Sequence, residues 1–275
     1  MPCWGIVLYL VLMGCIFIFR LLPESKVEMV NDTIISIVCF LGSIQLFSVC
    51  RYLEPKDSIR RIWFLFGVGL FLESIGHGIY AWFELLSNEA ISFPFYSDYF
   101  ITTSMLLYSY SFSYFYYHLD QSDILPHSER KNIANLLFLV LFIVQGIFYI
   151  YPTMTEYSES LWMRILYLIY PVLDLVIAYF CLHLVIAFSV MGRSPIAKPW
   201  VILVIAYFVF LFTDSAYAYV ELWGNYHPYL WINPGWGLAY LLVAHASYKQ
   251  RKMMIRIDQL GNEQKELSAM QDASC

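Results

Sequence analysis

The chain has 275 residues, of which 60% are hydrophobic, 19% aromatic and only 13% charged. A soluble domain carries about 25% charged residues, so composition alone excludes an ordinary water-soluble enzyme, and nothing in it points to nucleic acid. The formal net charge of −5 says little about partners, because across a membrane the side on which charges lie matters more than their sum.

The apolar residues fall into blocks of roughly 20, the length needed to cross about 30 Å of hydrocarbon. They predict an all-α, polytopic membrane bundle of eight helices, at 4–22, 32–50, 61–86, 97–117, 133–152, 161–190, 198–220 and 233–250. The first stretch has no basic segment before it and no A-x-A site after it, so it reads as a retained helix in front of a seven-helix core. In the fourth block, YSYSFSYFYYH at 108–118 alternates like a strand. An isolated strand would leave its backbone unpaired in lipid, so this run is expected to be the inner half of a helix, with Ser109 and Ser113 permitting close helix contact. The domain division is 1–250 in the membrane and 251–275 as a cytoplasmic tail. In the tail Met253, Leu260 and Leu267 recur every seven residues, with Ile257 beside them and Gly261 interrupting. That pattern suits the start of a coiled coil with a second copy of the chain; a basic helix on the lipid surface suits KQRK equally well.

Lys and Arg set the orientation. With the N-terminus inside, 13 of the 16 lie on the cytoplasmic side, leaving Arg20, Lys26 and Arg164 outside. Both termini are therefore expected in the cytoplasm of a cell-membrane protein. The outer loops, NEAISFPFYSD, YPTMTEYSES and GNYHPYLWINPGW, are aromatic, as an interfacial belt would be. Six cysteines make no framework: Cys15, Cys39, Cys50 and Cys181 sit in or at apolar spans, Cys3 and Cys275 near the ends, and no C-x-x-C occurs.

The acids are the informative residues. IYAWFELL at 79–86 and AYAYVELW at 216–223 each place a Glu behind a Tyr-Ala-aromatic triplet, at Glu84 and Glu221. Each is followed by a loop, a proline and the next helix, which suggests that helices three–four, five–six and seven–eight are diverged copies of one hairpin. Asp98 opens helix four and is placed to cap it. At 1.5 Å per residue, Asp214 lies about 10 Å below Glu221 and Glu73 about 16 Å below Glu84. Asp174 follows Pro171 inside helix six. A carboxylate in hydrocarbon costs roughly 2.5–3.5 kcal/mol or more, so such groups face a bundle interior or a wet cavity. Protonation, a bound cation or an amine-bearing ligand would each settle the charge. His77, one turn after Glu73, is placed to pair with it. His183 and His245 fall at similar depth, the geometry of a haem held between helices, though satisfied polar packing explains them better. No Lys lies inside a span, Lys198 and Lys249 standing only at the cytoplasmic ends of theirs, which argues against a retinal Schiff base. No P-loop, G-x-S-x-G or H-E-x-x-H motif marks a catalytic centre.

From helix two onward one layout carries further meaning. Its residues are Arg60, Arg61 and Trp63 opening helix three, then Gly69, Gly76 and Glu84, Pro94 with Asp98, YPVLD with Asp174, Asp214, and finally Trp236, Gly237 and Tyr240. Over roughly 32–250 this resembles the seven-helix N-terminal sensor regions of archaeal histidine kinases and bacterial diguanylate cyclases. The resemblance implies a membrane sensor whose last helix continues into a catalytic domain; here no such domain follows, so a separate cytoplasmic protein is the expected receiver. The reading is a non-enzymatic sensor or receptor-like module. It binds a small ligand, cation or proton among Glu73, His77, Tyr80, Glu84, Asp98, Asp174, Asp214, Tyr217, Glu221 and Trp236, with no metal and no cofactor. The alternatives are a proton- or cation-coupled transporter and, less favoured, a haem or quinone subunit using His183 and His245. Beyond the lipid bilayer and the receiver, the expected partner is a second copy of the chain.

Overall fold

Long charge-poor runs of Leu, Ile, Phe and Val can enter lipid only by satisfying their backbone internally, and helices are how this chain does it. The computed structural model describes residues 3–87, 94–121, 128–155, 160–191, 197–223, 227 and 232–273. The helices are α1 Cys3–Phe19, α2 Glu24–Val49, α3 Ser58–Ser87, α4 Tyr96–Gln121, α5 Ser128–Gln145, α6 Leu161–Met191, α7 Ala197–Leu222 and α8 Asn233–Ala273. A 3₁₀ turn, Cys50–Tyr52, ends α2; a π-helical turn, Gly146–Ile150, carries α5 into a last short turn, Tyr151–Thr155. The aromatic loop residues 88–93, 156–159, 224–226 and 228–231 lie outside the described residues.

Each predicted helix is present, with two notable extensions. α2 begins at Glu24 rather than at residue 32. α8 runs unbroken through Gly261 to Ala273, so the glycine does not interrupt it; one glycine costs a helix only about 1 kcal/mol relative to alanine. The YSYSFSYFYYH run is helical throughout. Of the eight expected membrane spans, five are long and apolar enough on their own: Lys26–Tyr52, Ser58–Ser87, Arg130–Thr155, Leu161–Phe188 and Ala197–Leu222. The apolar part of α1 is short, Ile6–Ile16. α4 and the first half of α8 fall below that mark because Tyr, Ser, Asn and His replace aliphatic residues along them. The chain is a polytopic helical membrane protein.

The packing order explains which helices can afford polar residues. α2 packs on α3, α3 on α4, α4 on α6, α6 on α7, α7 on α8, and α8 back on α2. These six close a ring. α5 leans chiefly on α6 and α1 on α8, outside the ring, and both show rows of exposed Leu, Val and Ile of the kind that face lipid. At one end the ring is filled by aromatic side chains. Trp63 of α3 and Phe115 of α4 meet Trp200 of α7 with ring centroids 4.2 and 3.9 Å apart, and Phe112 meets Tyr207 edge-on at 4.8 Å. Asp57 fixes the start of α3 by accepting the Ile59 N–H at 2.7 Å.

Two glycines allow close approaches that no other residue would. A Cβ on Gly69 would lie 2.3 Å from the Tyr108 ring, so α3 and α4 touch there. A Cβ on Gly237 would lie 1.8 Å from the Tyr9 hydroxyl; that hydroxyl donates to Asn31 Oδ1 at 3.0 Å and so ties α1 to the ring. Gly237→Ala should therefore lower thermal stability in detergent by about 1–3 kcal/mol. In a Tyr9→Ala background the same change should be nearly neutral. Equal losses in both backgrounds would show that α1 is not seated against Gly237.

Candidate ligand-binding cavity

Helical periodicity brings one stripe of side chains from each ring helix to a common interior. On α3 the stripe is Glu73, His77, Tyr80 and Glu84; on α7 it is Tyr207, Phe210, Asp214, Tyr217 and Glu221, spacings of three and four residues. α4 adds Asp98, Ile101, Met105 and Tyr108, and α6 adds Tyr167, Tyr170 and Asp174. Glu28, Asn31 and Asp32 come from α2, Trp236 and Tyr240 from α8, and Tyr149 and Thr153 from the end of α5. Together they enclose a cavity of about 390 Å³. It lies at the end of the bundle where α2, α4, α6 and α8 begin and α3, α5 and α7 finish. All ten residues singled out from the sequence line it.

Eight of the lining residues are carboxylic acids: Glu28, Asp32, Glu73, Glu84, Asp98, Asp174, Asp214 and Glu221. His77 is the one basic side chain among the described lining residues, and neither Lys nor Arg joins it. Three hydrogen-bonded groups organise the acids. At the bottom, Glu73 is 2% exposed. It accepts from Ser104 and, at 2.7 Å, from the Tyr240 hydroxyl. His77 Nε2 lies 3.2 Å from that same hydroxyl, and Nδ1 lies 2.8 Å from Asp32 Oδ1. Since Tyr240 gives its one proton to Glu73, its oxygen is left to accept from Nε2–H, while a carboxylate at Asp32 accepts from Nδ1–H; both ring nitrogens then donate. The expected Glu73–His77 pair is present, at 3.8 Å, but Asp32 is the nearer partner.

The second group centres on Asp98. Its Oδ2 accepts the Phe95 N–H at 2.6 Å, the reach-back half of a capping box at the start of α4. Its Oδ1 accepts from Tyr80 at 2.9 Å and Tyr170 at 2.8 Å. Asp98 thus serves as cap and cavity wall at once. In the third group Trp236 Nε1 donates to Asp214 at 2.5 Å, and Asp174, 4% exposed, reaches across from α6 into hydrogen-bonding range of Asp214. Carboxyls so close in a low dielectric hold a proton between them or take a cation.

Tyr149 is placed by two prolines. Pro171 has no N–H to offer the Tyr167 carbonyl one turn earlier, and the Tyr149 hydroxyl donates to that carbonyl at 2.9 Å instead. The π turn just before Pro152 aims Tyr149 there, in keeping with the habit of π turns to occur at functional sites.

His183 and His245 do not line the cavity. His183 Nδ1 faces the Tyr179 carbonyl at 2.9 Å with its ring against Tyr116 and Tyr179, and His245 lies along Tyr248. Among the described residues no group of three or more His, Cys, Asp or Glu is placed to hold a metal ion. The residues missed in the sequence are Glu28 and Asn31, which fell in an expected loop, Asp32, which opened the expected second span, and Tyr149, Tyr167, Tyr170 and Tyr207, which looked like ordinary aromatic packing. A four-residue Glu28–Asp32 spacing, matching the stripes on α3 and α7, was the available signal. No known protein family matches this chain, and no curated protein or solved structure matches it.

Tyr149→Phe should lower stability by about 1 kcal/mol, the scale of one buried hydrogen bond. Pro171→Ala restores an N–H to the Tyr167 carbonyl, so in that background Tyr149→Phe should cost markedly less. Thermal unfolding of the four proteins checks it, and an additive pair would contradict the assignment.

Proposed function

We propose that the protein is a receptor-like membrane sensor: a small positively charged ligand, or protons, occupies the acidic cavity and the change is passed along α8 to a separate cytoplasmic protein. The observation that carries this reading is that one helix serves both ends. Trp236 and Tyr240 on α8 hydrogen-bond Asp214 and Glu73 in the cavity, and the same helix runs without a break to Ala273. At 1.5 Å per residue its 41 residues span about 60 Å, roughly twice the hydrocarbon thickness. Neutralising the acids changes which packing of Trp236 and Tyr240 is favoured, and a population shift in that packing moves the far end.

The resemblance to seven-helix sensor regions of histidine kinases and diguanylate cyclases supports the same reading. Placement of both termini in the cytoplasm rests on the distribution of Lys and Arg and belongs to the proposal. A proton-coupled carrier is the second reading, favoured by the relay Asp32–His77–Tyr240–Glu73. The packed aromatic end of the ring, from Trp63 and Trp200 to Phe112, argues for a site closed at one end rather than a path through.

Spin labels at Lys198→Cys and Ile257→Cys, in nanodiscs, report the position of the α8 extension relative to the start of α7. Adding Asp174→Asn with Asp214→Asn removes the charge that an occupant would balance. The double variant should insert normally and shift the distance distribution away from that of the parent. An unchanged distribution would break the link between cavity and tail. Ion or proton uptake by proteoliposomes, lost in the double variant, would favour the carrier instead.

A further inference from the structure

The ligand class can be narrowed by what the cavity leaves unsatisfied and by how its acids are spaced, resting on the reading of the cavity as a ligand site. Tyr207 lines it and is 6% exposed, yet among the described residues its buried hydroxyl meets no hydrogen-bond partner. Thr153, 2% exposed, lines it too, and among the described residues its hydroxyl likewise has none. Buried hydroxyls are ordinarily hydrogen-bonded, and leaving one unmade costs about 1–3 kcal/mol. Both can accept an N–H. They sit far apart in depth: Thr153 is in the last turn of α5, whereas Tyr207 lies seven residues, about 10 Å, below Asp214.

The acids form tiers along the same axis. Glu221 stands near the mouth, Asp214 about 10 Å below it, and Glu73 about 16 Å below Glu84. Between the tiers the walls are aromatic: Tyr170, Phe210, Tyr217 and Tyr240. A compact inorganic cation would need several ligands converging at one point, and the described residues offer no such group. A single ammonium would engage one tier and leave the others unbalanced. Several cationic nitrogens joined by short methylene runs would meet the tiers in turn, lay their methylenes on the aromatic faces, and gain cation–π contact there. Among the described lining residues there is no Lys or Arg, and the one basic group, His77, is paired with Asp32 and Glu73.

The geometry points to a linear aliphatic polyamine as the ligand, lying along the bundle axis with a terminal ammonium toward Asp174 and Asp214 and another nitrogen near Glu221 at the mouth. Recognition is by charge spacing, so affinity should climb with the number of nitrogens.

The test is isothermal titration of the full chain in zwitterionic nanodiscs with spermidine, 1,4-diaminobutane, butylamine and sodium chloride. Spermidine should bind at least tenfold more tightly than butylamine, with the diamine between. Glu221→Gln should narrow the spermidine–butylamine gap several-fold while leaving butylamine affinity near that of the parent. Asp214→Asn, which keeps the side-chain size and removes the charge, should weaken all three amines alike. Equal affinity for spermidine and butylamine, displacement of spermidine by sodium at matched charge, or no amine binding by a protein whose unfolding transition is intact would each overturn the assignment. Movement of α8 on neutralising Asp174 and Asp214, without amine binding, would leave the sensor standing with a different ligand. Amine binding without α8 movement would keep the ligand and remove the sensor.

Discussion

A carboxylate cannot be left facing hydrocarbon. That single constraint, a penalty of several kcal/mol for each ionised group at membrane depth, organises the bundle. Glu73, Asp174 and Asp214 lie well inside helices whose other faces meet lipid, and each must turn toward a partner from another helix. Glu73 finds Ser104 and Tyr240, and Asp214 finds Trp236 and Asp174. Satisfying the acids therefore closes the ring α2–α3–α4–α6–α7–α8, and the cavity is the space their side chains share. α1 and α5 carry no such obligation and sit outside.

The same constraint links site to architecture. Trp236 and Tyr240 stand one turn apart on α8, and each donates to an acid on a different helix, α7 and α3. Any change in the charge of those acids changes two contacts of one helix at once. The opposite end of the ring is held by dry aromatic packing around Trp63, Trp200 and Phe112, which is insensitive to charge. A bundle that is polar and adjustable at one end and aromatic and fixed at the other is suited to tilting one helix rather than opening a path.

Most of this was legible in the sequence, for identifiable reasons. Helix number followed from apolar block length, and the stripes Glu73–His77–Tyr80–Glu84 and Asp214–Tyr217–Glu221 from helical spacing. Depth along each helix followed from the rise per residue. Azimuth between helices did not: which face of α2 or α6 meets α3 and α7 depends on packing across the ring. Asp32 was passed over because it stood at the very start of the expected span, whereas α2 begins earlier, at Glu24, and so places Asp32 inside the helix. The Tyr149–Tyr167 bond was hidden because it answers a carbonyl freed by Pro171, and no local pattern names the residue that supplies the missing donor. α4 and α8, expected as spans from their apolar blocks, are not long and apolar enough on their own to count among the five candidate spans.

The central claim is that these acids surround one cavity, reachable from the end where Glu28 and Glu221 stand and selective for positive charge. Ala218 lines it between Asp214 and Glu221, so Ala218→Cys, compared with the parent chain, gives a direct probe. A cationic methanethiosulfonate reagent should modify that thiol at least tenfold faster than an anionic reagent of similar size, and only when added from the mouth side. Equal rates with the two reagents, or no modification by either, would contradict the account.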